Sequence, residues 1–489
     1  MLLLQGLFAR VQYMPDFSLL AVVVTALYGV ALFCIYRILL SYRTAQGAIG
    51  WVIGLIGMPW IAVPLFLVFG RNRFSGYVRA RRMNDQTLDP LLSQYEHQAE
   101  GIPYPDFPNG VDELRVLSKL GRQPFTGSNH CTLLKNGEAT LEALFDAMES
   151  ATDYILLEFY IVRSDRVGAR ILNILRRKLA QGVRVYFLYD DIGSLLLPGH
   201  YLKALRTAGA KVTSFGNGNV RRRRLQINFR NHRKILVCDG RVGFVGGINL
   251  GDEYLAREPG EEVWRDTHCR VEGPAALGLQ LAWLEDWNWA ADANPELNWQ
   301  PRRAETGDQQ VLILPSSPAD RWETCTLFFL NCINNARDRL WIASPYFVPD
   351  VQIINALQLA AMRGVDVRIL IPEKADHLLI HLAAYSYLVT ANECGIRICQ
   401  YQPGFLHQKV VLVDDRYAAV GTANLDNRSM RLNFEIAALT TAPDFVADVE
   451  AMLEADLARS RQLERADYED RSLLFRLACR SARLMAPLL

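Results

Sequence analysis

Apolar positions fall into three regimes along the chain. From 17 to 40 they are almost continuous, with Arg37 the one charge; from 48 to 69 no charged residue occurs. A helix rises ~1.5 Å per residue, so each run is long enough to cross a hydrocarbon core of ~30 Å. The link around 41–44 is short, which predicts a hairpin of two transmembrane helices, at about 17–40 and 48–69. A cleaved signal peptide is normally shorter and carries a small-residue cleavage pattern, which does not stand out here.

Beyond about residue 125 the pattern changes. Short, β-rich apolar runs at 153–160 and 182–189 read as buried strands, and a longer helical stretch at 168–180 lies between them. The same alternation returns with 339–346, 351–363 and 364–371. This predicts two α/β units with buried sheets. The third regime is 473–485, basic and apolar, with Arg476, Arg480 and Arg483 at spacings of four and three. It predicts an amphipathic helix, either lying on a membrane surface or packed on the protein body.

The two α/β units share a motif. The first copy reads His232-Arg233-Lys234, then Asp239, then Gly246-Gly247-Ile248-Asn249. The second reads His407-Gln408-Lys409, then Asp414, then Gly421-Thr422-Ala423-Asn424. One constant displacement separates 232 from 407, 239 from 414 and 249 from 424, so 232–249 aligns onto 407–424 without a gap. Residues two apart in a strand share a face, so each His points the same way as its Lys. The four apolar residues after each Lys continue into a core, and each Asp then falls at a turn. A structural or orienting role suits those aspartates better than direct chemistry.

These residue types permit one kind of chemistry. A neutral imidazole attacks phosphorus and forms a covalent phosphohistidine. A second, protonated imidazole gives a proton to the leaving alkoxide and later takes one from the acceptor. Two lysines and the side chains of Asn249 and Asn424 would hold the non-bridging oxygens, and the small residues Gly247 and Thr422 would let backbone approach them. No metal is called for, and no cofactor: neither a metal-ligand set, a Walker-type glycine loop nor a GxSxG elbow is apparent.

Composition narrows the picture. Of 489 residues, half are hydrophobic and 21% charged, which is globular rather than disordered. The formal net charge is +1, without the broad basic excess of a nucleic-acid binder. Nine cysteines, an odd number with no CxxC pair, read as buried free thiols of a reducing compartment. Local charge says more. Arg71, Arg73, Arg79, Arg81 and Arg82 follow the second apolar run, whereas the link holds only Arg43. The positive-inside rule then puts the large C-terminal part in the cytoplasm. The cluster either sets topology alone or also holds anionic head groups. The run 221–224, four arginines just before the first motif, reads as a site for anionic lipid or as a solvated loop.

The paired motifs resemble those of the phospholipase D superfamily, over roughly 110–460. The resemblance implies two α/β/α sandwich repeats about a pseudo-twofold axis, both motifs lining one site at their interface, after the two-helix transmembrane hairpin. It implies an anchor at 1–75, a linker at 76–125, repeats at 126–305 and 306–465, and the basic amphipathic helix at 466–489. It makes His232, Lys234, Asp239, His407, Lys409 and Asp414 the catalytic set, with His232 as nucleophile and His407 as general acid and base. Asp266, Glu435 and Glu158 are candidates for orienting the site. Within the superfamily, 158–161, 231–234, 246–249, 264–268, 344–349 and 421–429, with the hairpin, are most similar to bacterial cardiolipin synthases. That implies phosphatidyl transfer between two phosphatidylglycerol molecules, a multi-pass protein of the bacterial cytoplasmic membrane, anionic phospholipids as partners and no nucleic acid. A hydrolytic phospholipase D, or a synthase with phosphatidylethanolamine as donor, would use the same residues.

Overall fold

The computed structural model describes residues 15–41, 45–70, 77–78, 111–216, 228–256, 263–374 and 376–486. The arginines of 71–82 and 221–224, Arg43 and most of the 76–125 linker lie outside these residues. Contacts divide the chain into two units: 1–74 with 221–228, and 75–220 with 229–489.

In the first unit, a helix of 27 residues, Pro15–Ser41, holds the apolar stretch Leu19–Leu40, long and apolar enough to cross a membrane. Ala31, Cys34 and Ile38 form its buried stripe, against Leu55, Ala62, Val63 and Phe66. Its other sides expose Leu20, Val22, Phe33 and Leu39. A helix apolar all round, with one narrow packed stripe, suits a lipid surrounding. The second crossing departs from expectation. In place of one helix over 48–69 there are two, Ala45–Gly57 and Pro59–Phe69, of 13 and 11 residues. Proline has no N–H to continue the ladder and drives the residue before it out of the helical region. Met58 accordingly has φ −139° and ψ 63°. At ~1.5 Å per residue the pieces span ~20 and ~16 Å, each short of a hydrocarbon core.

The second unit is built on one continuous sheet. Its first half holds β1 (Thr126–Lys135), β2 (Tyr154–Phe159), β3 (Arg184–Tyr189), β4 (Lys211–Ser214), β5 (Arg230–Asn231), β6 (Lys234–Cys238), β7 (Val242–Gly246) and β8 (Thr267–Glu272). The second half holds β9 (Gln309–Ser316), β10 (Arg339–Ala343), β11 (Phe347–Val348), β12 (Asp366–Pro372), β13 (Arg397–Tyr401), β14 (Val410–Val413), β15 (Tyr417–Gly421), β16 (Leu425–Asp426), β17 (Asn433–Thr440) and β18 (Ser460–Gln462), of which β11 and β16 pair only with each other, apart from the main sheet. From the β1–β9 seam the order runs β1-β8-β7-β6-β2-β3-β4 one way and β9-β17-β15-β14-β10-β12-β13-β18 the other. The two walks match strand for strand until β18. β2, β3 and β4 are parallel, as are β10, β12 and β13, while β6 and β14 run antiparallel to β2 and β10.

Strand alternation explains the layers. Ile155, Leu157 and Phe159 enter a core with Leu141, Leu144, Ile171 and Leu175, from the helices Asn136–Ser150 and Arg166–Ala180. On the opposite face, the Tyr154 hydroxyl donates to Gln280, and the Tyr186 ring meets Trp283 and Trp287 of the helix Ala275–Ala291. The second half repeats this, with Leu340, Ile342, Val367 and Ile369 packed against Phe328, Ile353 and Leu357. Each repeat is thus a sheet between helices. All nine cysteines are free; Cys394 is partly exposed and the rest are buried.

Candidate active site

Antiparallel pairing of Lys234 with Phe159, and of Val410 with Ala343, carries each His–Lys pair to the C-terminal ends of the parallel strands. The repeats then interlock. β5, just before His232, pairs with the start of β17, and the His232 N–H donates to the Phe434 carbonyl at 3.0 Å. In mirror fashion Leu406 bridges Arg265, and the His407 N–H donates to the Arg265 carbonyl at 2.7 Å. Each histidine is therefore held by the other repeat's backbone, one residue before that repeat's carboxylate.

The carboxylates follow the same crossing. His232 Nδ1 lies 2.9 Å from Glu435, and His407 Nδ1 lies 2.7 Å from Asp266. Glu435 also accepts from the Thr422 hydroxyl at 2.6 Å, the Ser429 hydroxyl at 2.8 Å and the Asn433 amide at 3.1 Å. Asp266 accepts from the Thr267 N–H at 2.7 Å. The Lys234 ammonium donates to the His232 carbonyl at 2.6 Å, and Lys409 to the His407 carbonyl. His232, Lys234, His407 and Lys409 are all buried.

Burial sets the charges. It pulls His232 down to about 4, against the Glu435 charge, with Lys234 and Lys409 adding to the fall. His407 is lowered well below the usual value by burial and then by Lys409, Lys234 and His232. Burial and the Lys409 charge bring Lys234 to about 7, and burial brings Lys409 to about 8. Burial raises Asp266 to about 6. It pulls Glu435 upward too, but the charge and hydrogen bond of His232, the Lys234 charge and the Thr422 hydroxyl outweigh it and leave the carboxyl below its ordinary value. Of the single proton in the His232–Glu435 pair, the geometry favours Nδ1–H donating to carboxylate, which leaves Nε2 with a free lone pair.

Other anticipated residues fall out differently. Asp239 and Asp414 lie at the far ends of β6 and β14, roughly 16 Å of strand from each Lys. Asp239 accepts from the N–H groups of Thr152, Asp153 and Tyr154, and Asp414 from those of Asp338 and Arg339, at 2.8–2.9 Å. Their place in the catalytic set is corrected: they pin the starts of β2 and β10. Glu158 is buried but bonds the Asn231 amide rather than a histidine, beside Asp286 and Arg233. Burial, then Asp286, raises its carboxyl well above the usual range. Asn249 accepts from the Ile161 N–H and donates to Tyr254 OH at 3.2 Å, while Asn424 donates weakly to Asp426 at 3.4 Å. Gly247 and Thr422 occupy equivalent positions with unequal work. A Cβ at 247 would collide with the Asp266 carboxylate, whereas Thr422 donates to Glu435.

Several neighbours carried no role in the sequence. The Tyr254 hydroxyl lies 3.5 Å from His407 Nδ1, and the Trp264 and Phe405 rings lie 5.1 and 5.8 Å from its imidazole. Tyr160 meets His232 edge-on at 4.9 Å. Tyr160 and Tyr346 follow equivalent strands, β2 and β10, a symmetry visible in the chain. Ser429 closes the segment 421–429 that carries the resemblance and Asn433 lies two residues before Glu435, yet neither bears a role of its own in the sequence. No group of three or more metal-ligating side chains occurs among the described residues.

Two interlocked repeats with a shared, buried pair of HxK motifs define a phospholipase D-like phosphatidyltransferase. The family model "Cardiolipin synthase, PLD-like domain" matches residues 144–264 and 329–457. Cardiolipin synthase A of Pseudomonas fluorescens Pf-5 is 43% identical over 95% of this chain and 98% of its own. That of Pseudomonas aeruginosa is 45% identical over 92% of each. The crystal structure of phosphatidylserine synthase from Haemophilus influenzae has the same fold, with a TM-score of 0.55 at 14% identity, over 77% of this chain and 100% of that one. The chain belongs to the cardiolipin synthase family of phospholipase D-like enzymes. With its N-terminal apolar helix, that relationship makes it a membrane protein acting in phospholipid metabolism.

Proposed function

We propose that the protein makes cardiolipin by moving a phosphatidyl group from one phosphatidylglycerol to another, with release of glycerol. The observation that carries this is the crossed pairing of His232 with Glu435 and His407 with Asp266 beside two buried lysines. Neutral His232 attacks phosphorus through Nε2, and the bond to the glycerol oxygen breaks. His407, as imidazolium, gives that oxygen its proton. Burial, and after it the lysine charges, hold His407 neutral before substrate enters; the entering phosphodiester anion offsets those lysine charges and favours the imidazolium. Glycerol leaves, and neutral His407 takes the proton of the second lipid's primary hydroxyl. That oxygen attacks the phosphohistidine and regenerates free His232. Lys234 and Lys409, with Asn249 and Asn424, hold the non-bridging oxygens. Cardiolipin follows from the names of the relatives; phosphatidylglycerol is the donor whose alcohol is itself the acceptor type.

In the same reading, 126–305 and 306–465 are the two repeats. The helix Pro15–Ser41 crosses the bacterial cytoplasmic membrane, the pair at 45–69 returns the chain, and the arginines of 71–82 keep the catalytic part cytoplasmic. The test supplies membranes containing the protein with head-group-labelled phosphatidylglycerol. Labelled glycerol released with matching cardiolipin, and lost in His407→Ala, is the expected result. Phosphatidic acid as the dominant product would make it a hydrolase, and turnover only with added phosphatidylethanolamine would change the donor.

A further inference from the structure

The connection after the second parallel strand of each repeat carries the same feature. β3 ends at Tyr189 and β12 at Pro372; six and seven residues on stand Leu195 and Leu196 in one repeat, Leu378 and Leu379 in the other. Their side chains are 73, 73, 70 and 50% exposed, and Ile192 beside the first pair is 46% exposed. A single exposed leucine is ordinary; a pair repeated at equivalent positions of both halves is not.

Both connections are tied to the active site before they reach the leucines. Asp190 accepts from the Asn231 N–H at 3.0 Å, next to His232, and its charge acts on Lys234. Asp376 accepts from the Tyr346 hydroxyl at 2.6 Å, and its charge acts on Lys409. The two pairs therefore stand on connections that leave the same site, one from each repeat.

The C-terminal helix Leu473–Leu484 extends this rim. It packs on the helix Leu378–Tyr385, with the Phe475 ring 5.5 Å from Tyr385, Cys479 in the core and Ala482 against Ala383. Helical geometry puts Leu473, Leu477 and Leu484 on the opposite side, and they are 64, 50 and 82% exposed. Arg480 and Arg483 are exposed beside them. The helix thus has two apolar stripes, one spent on the protein and one facing outward with the arginines along one flank.

We propose that Leu195–Leu196, Leu378–Leu379 and the outer stripe of this helix form a rim that enters the surface of an anionic bilayer and seats the catalytic cleft on it. The inference rests on the reading that the substrate is a phospholipid. Its phosphodiester lies at head-group depth, so a cleft ringed by leucines inserted just below that level receives it without extracting the acyl chains. The arginines match an anionic lipid surface, which a second copy of this chain, carrying the same arginines, does not.

The full-length enzyme in phosphatidylglycerol–phosphatidylethanolamine vesicles tests this. The double variants Leu195→Ser/Leu196→Ser and Leu378→Ser/Leu379→Ser are assayed on vesicle lipid and on monomeric short-chain phosphatidylglycerol. Losing the apolar area of two leucines should cut turnover of vesicle lipid roughly tenfold or more and leave turnover of the monomeric lipid within about twofold. Equal turnover on vesicles, or equal loss on both substrates, would overturn the rim. Separately, Leu196→Trp should add fluorescence that brominated acyl chains quench, over and above the wild type, whose Trp51 and Trp60 already lie in the membrane-crossing segment. No added quenching, with the double variants shifting sedimentation of the enzyme, would show that another copy covers these leucines. Quenching reads the rim whether or not the enzyme turns over, so a wild type inactive on both substrates would sink the functional reading alone.

Discussion

The two histidines of the site are alike in sequence and unlike in support. Glu435 is held by three side-chain donors besides His232, while Asp266 has a backbone N–H and His407. A carboxylate so clamped keeps its charge and fixes the His232 tautomer through the reaction. Glu435→Gln should lower kcat by about 10³- to 10⁴-fold with little change in KM, as loss of a triad carboxylate does; a change under tenfold, by product assay, would remove Glu435 from the mechanism. The lysines give a pH signature. Both are cationic when protonated, with burial bringing them to about 7 and about 8. Their attraction for the phosphodiester is therefore full only well below pH 7 and fades as pH rises, first at Lys234 and then at Lys409. kcat/KM, which reports the free enzyme, should fall on its alkaline side between about pH 7 and 9; a flat profile there contradicts these values. The HxK pairs could be read from the chain because a period of two suffices to put His and Lys on one face. Asp266 and Glu435 were visible as candidates, but their crossing was not, because it depends on β5 meeting β17 across some two hundred residues of chain.

At the scale of elements, the repeated Asp turns out to be a fastener. Asp239 and Asp414 both adopt positive φ, 56° and 51°, at the turn after the motif strand, and both cap the N-terminal end of the neighbouring parallel strand. Asp239→Ala leaves the buried Tyr154 N–H unpaired and turns the part-buried N–H groups of Thr152 and Asp153 to water; it should destabilise the fold by about 2–4 kcal/mol, at roughly 1–3 kcal/mol for the buried group and less for the other two. It should leave kcat per folded molecule within about twofold, since no catalytic group touches Asp239. A thermal melt in detergent beside active-site titration separates the two effects; a collapse of kcat at unchanged melting temperature would return Asp239 to the chemistry. Periodicity predicted β2, β3, β10 and β12 because these strands are buried on both faces and read as apolar runs. It missed the break at Met58, where hydropathy is continuous and only the proline after it marks the change.

At the scale of the molecule, a pseudo-twofold axis through the β1–β9 seam makes one site from two repeats. Neither repeat alone holds a complete His–carboxylate pair. Both halves lie in one chain, so mixing purified His232→Ala with His407→Ala protein should restore less than about 1% of activity, because the residues act as one unit. Recovery toward about a quarter, the most that randomly mixed intersubunit sites allow, would mean the site forms between chains. The internal displacement of the motifs announced this symmetry; the exposed leucines at its two flanks did not stand out, since hydropathy alone cannot tell a buried Leu from an exposed one.

The most direct test of the account is to trap the covalent intermediate. Wild-type enzyme and phosphatidylglycerol would be mixed, quenched within one turnover at alkaline pH, where phosphohistidine survives, and digested for mass spectrometry. A phosphatidyl adduct is expected on the peptide holding His232, and none in His232→Ala. An adduct on the peptide holding His407 would reverse the two roles. Cardiolipin formed with no adduct on either histidine, and with inversion at phosphorus, would contradict a two-step transfer through this site.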